Sequence, residues 1–142
     1  MKPLPLDLCL EGFARGVAFT RSFSQPCLAE NVGEAWWLHD EAHVGRRRRN
    51  DEWIARGQLD PEKLDAWAWA RARAPKRFLL SVIAEDAEQQ AGLLANYRSL
   101  GYRLWRTEPF MQRSTQTIPK ADADAEIQQV DNEILASRLS KA

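Results

Sequence analysis

The stretch RFLLSVIAE at residues 77–85 constrains the fold of this chain more than any other segment. Five of the six residues at 78–83 are apolar, and Pro75 and charged residues bound the run. A continuous apolar run of this length is typical of a central strand that is buried on both faces. The sequence therefore predicts a strand here and an α/β fold around it.

Helix signals flank this strand on both sides. Asp60 is a suitable N-cap, and Pro61 fits the first helical position, where no N–H donor is needed. The spacing predicts a helix over residues 61–73. After the strand, Asp86 can cap a second helix that runs to Leu100 and ends at Gly101, a residue that adopts the left-handed conformation readily.

The N-terminal half gives weaker signals. Residues 13–23, FARGVAFTRSF, alternate with a period close to two and predict a half-buried strand, with residues 35–38 as an antiparallel neighbour. The polar residues 39–50 predict a loop or an exposed helix start. Residues 51–56, followed by Gly57, predict a short helix.

Composition excludes several classes of protein. The 142 residues correspond to about one domain, and the 20 Lys and Arg balance 20 Asp and Glu, so the chain lacks the overall basicity of a dedicated nucleic-acid binder. Two cysteines, Cys9 and Cys27, are too few for a disulfide framework, which predicts a reducing, cytoplasmic setting. No apolar run is long enough to predict a membrane span.

The C-terminal part loses its aromatic residues. An extended stretch at 103–114 precedes residues 115–125, which predict a linker. Residues 126–130 predict a short strand, and residues 132–141 predict a helix with apolar residues to bury. The predicted organisation is a domain at 1–114, a linker at 115–125, and the opening strand and helix of a following domain at 126–142.

The strand, helix and strand at residues 78–114, with YRSLGY ending the helix, resemble the C-terminal half of the GNAT superfamily of N-acetyltransferases. In that family a helix of pattern N-x-x-A-x-x-L-Y-x-x-x-G-F/Y lies beside acetyl-CoA. Its Tyr often acts as general acid to the departing thiolate, and its Asn contacts the cofactor. The resemblance places Tyr97 on the Tyr, Gly101 and Tyr102 on the Gly and the aromatic residue, and Gln90 on the Asn, where the residue type differs.

The same family holds the cofactor pyrophosphate in a Q/R-x-x-G-x-G/A cradle between a strand and a helix, where glycines admit backbone N–H groups to the phosphates. The comparable place in this chain, after residues 36–38, reads DEAHVGRRRRNDEW. Gly45 stands there without a second glycine, and Arg46 begins an arginine run that attracts phosphate by charge. The resemblance implies a cofactor site of acetyl-CoA type, formed by Gln90, Gly45 and Arg46, that is eroded.

The tail, with EIQQVDNEILASRLSKA, looks like the opening of a second, intact GNAT domain. The resemblance then implies a twisted mixed sheet flanked by three to four helices. It also implies an accessory domain that shapes an acceptor site or forms an oligomer interface. Its partner would be a C-terminal acetyltransferase domain of the same polypeptide or a second copy, and the amine acceptor stays unidentified.

Other residues carry competing interpretations. Tyr97 lies at helical spacing with Leu93, Leu94 and Leu100, so packing in the core is the alternative to catalysis. His39 and His43 have the i, i+4 spacing of a metal pair, but the segment shows no third ligand and polar loop histidines are the favoured interpretation. No base or cation cluster lies next to either cysteine in the sequence, so both are expected to be inert.

Three functional hypotheses follow. The first is the accessory domain without independent catalysis, and the second is an active acetyltransferase with Tyr97 as general acid. The third is a nucleic-acid or anionic-ligand module that uses the arginine run at 46–49 with Trp53 as a stacking residue, although the neutral net charge makes nucleic acid unlikely as a partner. Trp67 is expected in the core, whereas Trp53 and Trp69 are expected at the surface.

Overall fold

The computed structural model describes residues 5–41, 49–72 and 77–110. These residues belong to one compact unit, Leu4–Phe110. Its helices and strands, in chain order, are α1 (Leu6–Arg21), β1 (Cys27–Val32), β2 (Ala35–Asp40), β3 (Asp51–Arg56), α2 (Pro61–Arg71), β4 (Phe78–Ile83) and α3 (Ala87–Ser99). The predicted linker at 115–125 and the predicted strand and helix beyond it lie outside the described residues.

The four strands form one mixed sheet in the order β1-β2-β3-β4. The first two pairings are antiparallel, and β3 pairs with β4 in parallel. A parallel pair requires a crossover, and α2 provides it. The prediction of a mixed α/β fold is confirmed, with three helices in the described part of the chain.

Each face of the sheet carries its own core. Trp37 pairs with Trp53, which pairs with Leu80, so these three side chains share one face. Leu64 and Ala68 of α2 pack there, with Tyr97 of α3 beside them. The opposite face is covered by the buried side of α1, whose residues pack on the sheet. That second core consists of Leu10, Ala14, Ala18, Cys27, Leu38 and Ile54.

The first helix corrects the prediction of a strand at residues 13–23. Leu10, Ala14 and Ala18 recur every four residues and are at most 6% exposed, which is the periodicity of a helix face. The alternation that favoured a strand came from aromatic residues, and Phe13 and Phe19 are 41% and 61% exposed. The buried stripe of α1 is made mostly of small residues, which is why the larger aromatic side chains dominated the sequence pattern.

The third strand corrects the prediction of a helix at residues 51–56. Trp53 lies in the middle of the sheet between Trp37 and Leu80, so cross-strand pairing overrides the local helix signal. Gly57 does not end a helix. Its N–H donates to the carbonyl of Ile83 at 2.8 Å and extends the pairing of the two parallel strands by one residue.

The predicted starts of the two helices that flank β4, and the predicted end of the second, are confirmed. Asp60 Oδ1 accepts from the N–H of Glu62 at 2.9 Å at the start of α2, and Asp86 Oδ1 accepts from the N–H of Gln89 at 2.7 Å at the start of α3. Gly101 follows α3 with φ of 92°. The strand itself forms, but among the described strands it lies at one end of the sheet and its residues are half-buried, so its predicted central position is wrong for this part of the chain. No described helix is both long and apolar enough to cross a bilayer.

Candidate functional site

A ligand is expected in the region outside the carboxyl ends of the parallel strands β3 and β4, which we call the crevice. In sheets of this kind, ligands bind outside the carboxyl ends of parallel strands, beside the N-termini of the helices that follow. Here β3 leads into α2 and β4 leads into α3. Residues 57–60, between β3 and α2, are therefore the first strand-to-helix junction of the parallel pair. Gly45 and Arg46 lie outside the described residues.

Carboxylates occupy both helix N-termini at this crevice. Asp60 caps α2, and Pro61 at its first position has no N–H to offer. Asp86 caps α3 in the same way. A helix N-terminus binds phosphate through free N–H groups and its partial positive charge. At each of these helix N-termini one N–H group is already bonded to a carboxylate, and the negative charge of that carboxylate opposes a pyrophosphate.

The glycine at the junction serves helix packing. A Cβ added at Gly57 would lie 2.7 Å from Cδ1 of Leu93 and 2.9 Å from the side-chain amide of Gln89, both on α3. The parallel strands pair continuously up to this glycine. Gly57 therefore provides room for α3, and the strands leave no gap between them at this end.

The cation nearest the crevice is neutralised within the chain. Arg56 Nη1 lies 3.1 Å from Oδ1 of Asp7, and its Nη2 lies 2.6 Å from Oε1 of Glu85, which also accepts from Nε2 of Gln58 at 3.1 Å. The hydrogen bond that Arg56 donates to Glu85 raises the pKa of Arg56, and the hydrogen bond to Asp7 and the charge of Asp7 add to this effect. The guanidinium is thus held between two carboxylates through its Nη atoms, whereas its buried Nε has no hydrogen-bond partner among the described residues.

Tyr97 lies on α3 with its ring against the core beneath α2. Its hydroxyl is buried and has no hydrogen-bond partner among the described residues. Burial, together with the negative charges of Asp60 and Asp65, raises the pKa of Tyr97 to about 12. At neutral pH the hydroxyl keeps its proton and faces protein, which matches the packing interpretation of this residue.

Gln90 and Tyr97 are brought to the same side of one helix. They are seven residues apart on α3, which is close to two full turns. Gln90 is half-buried, and its backbone N–H donates to the carbonyl of Asp86 at 3.0 Å.

The hydroxyl of Tyr102 is hydrogen-bonded, whereas that of Tyr97 has no partner among the described residues. The O–H of Tyr102 donates to Oδ1 of Asp65 on α2 at 2.6 Å, and its ring meets that of Tyr97 edge-on at 5.8 Å. Burial raises the pKa of Tyr102, and the hydrogen bond to Asp65 adds to the rise. This bond ties the end of α3 to α2, a structural role that the sequence pattern did not predict.

Two of the residues proposed for nucleic-acid binding, Arg49 and Trp53, are engaged elsewhere. Trp53 is 1% exposed and cannot stack on a base, so its predicted surface position is wrong. Trp69 is 50% exposed, as predicted. The guanidinium of Arg49 binds Asp40 and two backbone carbonyls. The other three arginines of the run, Arg46, Arg47 and Arg48, lie outside the described residues.

The predictions for the histidines and the cysteines have different outcomes. His39 is 6% exposed at the end of β2, so the expected loop position is wrong. Its Nε2 lies 2.8 Å from Oε1 of Glu30, and its ring stacks on Trp37 with centroids 3.8 Å apart. His43 lies outside the described residues. Within the described ranges no three His, Cys, Asp or Glu side chains cluster as metal ligands do. Burial raises the pKa of Cys27, which fits an inert thiol.

Known proteins add no further constraint. No family model matches the chain, and no curated protein or solved structure matches it either.

Proposed function

We propose that this chain is a GNAT-related domain that lacks acetyl transfer of its own and serves as the accessory half of an acyltransferase. The two free cysteines suit the reducing, cytoplasmic setting that we propose for it. Its partner would be a C-terminal acetyltransferase domain of the same polypeptide or a second copy of this chain, acting on an amine acceptor. The observation that carries the proposal is the pair of carboxylates, Asp60 and Asp86, on the helix N-termini at the crevice.

The physical reason is electrostatic. The pyrophosphate of acetyl-CoA is anionic and would meet Asp60 where an active cradle offers backbone N–H groups. Glu85 adds a third carboxylate beside Arg56. An active site would place preorganised hydrogen-bond donors toward the pyrophosphate. Here the N–H groups of Glu62 and Gln89 and the Nη atoms of Arg56 already bond to carboxylates.

The state of Tyr97 supports the same proposal. A general acid must reach the leaving group within hydrogen-bond distance, and it works best with a pKa near the operating pH. Burial raises the pKa of Tyr97 to about 12. Its hydroxyl is also enclosed by the packing of α3 on α2. Packing in the core therefore accounts for this residue without a cofactor.

Calorimetric titration of the full chain with acetyl-CoA tests the proposal. We expect no binding heat up to about 1 mM ligand, which corresponds to less than about 4 kcal/mol of binding free energy. An active acetyltransferase titrated in parallel controls for the quality of the ligand. Micromolar affinity for this chain would contradict the proposal directly.

A second candidate function is an active acetyltransferase. The placement of Gln90 and Tyr97 on one side of α3 favours it, as does the unpartnered hydroxyl of Tyr97. Tyr97→Phe should then lower turnover with an amine acceptor and leave stability nearly unchanged, with Tyr102→Phe as the matched control on the neighbouring ring. If the parent chain shows no turnover across a panel of amines, this candidate fails.

A further inference from the structure

The first helix is apolar on two opposite sides. One side packs on the sheet. The other is exposed and carries Leu8, Gly12 and Phe19, with Phe23 in the turn after the helix, and we call these four residues the outer stripe of α1. Arg15 lies on the same side of the helix. Leu8, Phe19 and Phe23 are 56%, 61% and 50% exposed. An amphipathic helix on a protein surface normally has a polar outer side. The outer stripe therefore has the composition of an interface.

Side-chain size changes along the outer stripe. Its C-terminal end holds two phenylalanines whose rings meet edge-on with centroids 5.0 Å apart. Its middle holds Gly12, and Gly16 lies one turn on. In the described part of the chain, nothing lies within 4 Å of a Cβ built at either glycine. The stripe thus has a protruding aromatic end and an open glycine segment.

This gradient is self-complementary when two copies of the helix run in opposite directions. We propose that α1 packs antiparallel on α1 of a second copy, about a two-fold axis between Arg15 and Gly16. Phe19 then lies over Gly12 of the partner subunit, and Phe23 lies against Leu8 of the partner subunit. A two-fold axis repeats both contacts, as an isologous interface requires.

The charge nearest the axis does not oppose this arrangement. Arg15 Nε lies 2.9 Å from Oε1 of Glu11 one turn earlier, and its guanidinium sits 5.3 Å from the ring centroid of Trp36 on the sheet. It thus has partners within its own subunit, while its side chain is 63% exposed. Two arginines of opposing copies need not meet at the axis.

The exposed area sets the strength of the contact. A phenylalanine buries about 150–250 Å² when it is fully covered, so the stripe leaves roughly 300 Å² of apolar surface per copy. With a polar rim, the pair would bury about 1,000 Å² in total, the lower limit for a specific interface. The dimer is therefore expected to be weak, with a dissociation constant of about 10–100 µM.

Sedimentation velocity of the full chain from about 1 to 500 µM tests the proposal, because that range brackets the expected dissociation constant. The parent chain should pass from monomer to dimer within this range. Phe19→Glu should keep it monomeric throughout. Trp105→Glu, which removes another aromatic residue that is 73% exposed, should dimerise as the parent does.

Gly12→Leu separates specific packing from general stickiness. It enlarges the apolar surface and improves helix propensity, so the fold should be retained, which circular dichroism checks. It also fills the space that Phe19 of the partner subunit needs, so the dissociation constant should rise at least tenfold. A parent chain that stays monomeric at 500 µM would overturn the proposal, as would tighter association of Gly12→Leu or a dimer that survives Phe19→Glu. Acetyl-CoA titration reports independently of all these outcomes.

Discussion

Replacing Arg49 should destabilise the fold strongly, because this side chain joins the turn after α1 to the end of β2. Its Nε and Nη2 lie 3.0 Å and 2.6 Å from Oδ1 of Asp40. Its Nη1 donates to the carbonyl of Arg21 at 2.7 Å, and its Nη2 also donates to the carbonyl of Gln25 at 2.8 Å. The residue acts as a cross-link between segments that are far apart in the chain.

The size of the effect follows from what the substitution leaves behind. The Asp40 side chain is 7% exposed, so Arg49→Met leaves a buried carboxylate without its cation. Removing one partner of a buried ion pair typically costs 3–5 kcal/mol. Gln25 still donates to Asp40, and Arg49 is 27% exposed, so we expect about 3 kcal/mol. For a domain of this size that is a loss of roughly 10–15 °C in Tm.

The effect should depend on pH in a defined direction. Burial on its own would raise the pKa of Asp40, but the hydrogen bonds and charge of Arg49 outweigh it and lower that pKa below its ordinary value. A lowered carboxyl pKa contributes stability that is present above the unfolded pKa near 3.9 and is lost as the pH falls through the folded pKa. The difference between parent and Arg49→Met should therefore be constant near pH 7 and shrink below about pH 4.

Urea denaturation followed by circular dichroism measures both quantities. Arg49→Lys keeps the charge but cannot bind Asp40 and two carbonyls at once, so it should lose about half of the stability that Arg49→Met loses. Asp40→Asn combined with Arg49→Met should be less destabilising than the two single changes added together. A loss under about 0.5 kcal/mol for Arg49→Met, the size of an ordinary surface change, would refute the reasoning.

Three further predictions concern the crevice and its helices. Gly57→Ala should cost about 1–3 kcal/mol, because its methyl group meets Leu93 and Gln89, and thermal denaturation would show an unchanged Tm if α3 simply moved aside. Asp60→Ala should cost about 1 kcal/mol through loss of the α2 cap, and a chemical denaturation midpoint equal to that of the parent would contradict this role. Tyr97→Phe should leave stability equal or slightly higher, because it removes a buried hydroxyl without a partner among the described residues; a loss above 1 kcal/mol would show that the hydroxyl is bonded.

The sequence was sufficient for the elements whose ends are set by local chemistry. Asp60 with Pro61, Asp86 and Gly101 each act through neighbouring backbone groups, so α2 and α3 were located from a few residues. The apolar run of β4 was equally local. These signals survive folding because no distant contact competes with them.

The sequence failed where distant contacts decide. Trp53 is placed in a strand by its neighbours Trp37 and Leu80, which lie 16 and 27 residues away. The buried stripe of α1 is short in apolar bulk, and the exposed phenylalanines imitate a strand. A helix period carried by Leu10, Ala14 and Ala18 was the signal that could have corrected it.

The candidate site shows the same division. Tyr97 and Gln90 were placed on one helix correctly, because that relation lies within a single element. The ion pair between Asp40 and Arg49 does not follow from the sequence, because Arg49 also donates to backbone carbonyls in a turn more than twenty residues earlier. The available signal was an aspartate at the end of one strand and an arginine just before the next, a pairing typical of adjacent antiparallel strands.

The groups that a cofactor would need are the groups that hold this fold together. The N-terminus of α2 is stabilised by Asp60, the glycine of the junction admits α3, and Arg56 links Asp7 of α1 to Glu85 before α3. Freeing any one of them for a phosphate would cost stability before it created affinity. This competition between fold stability and phosphate binding is what supports the proposed accessory role.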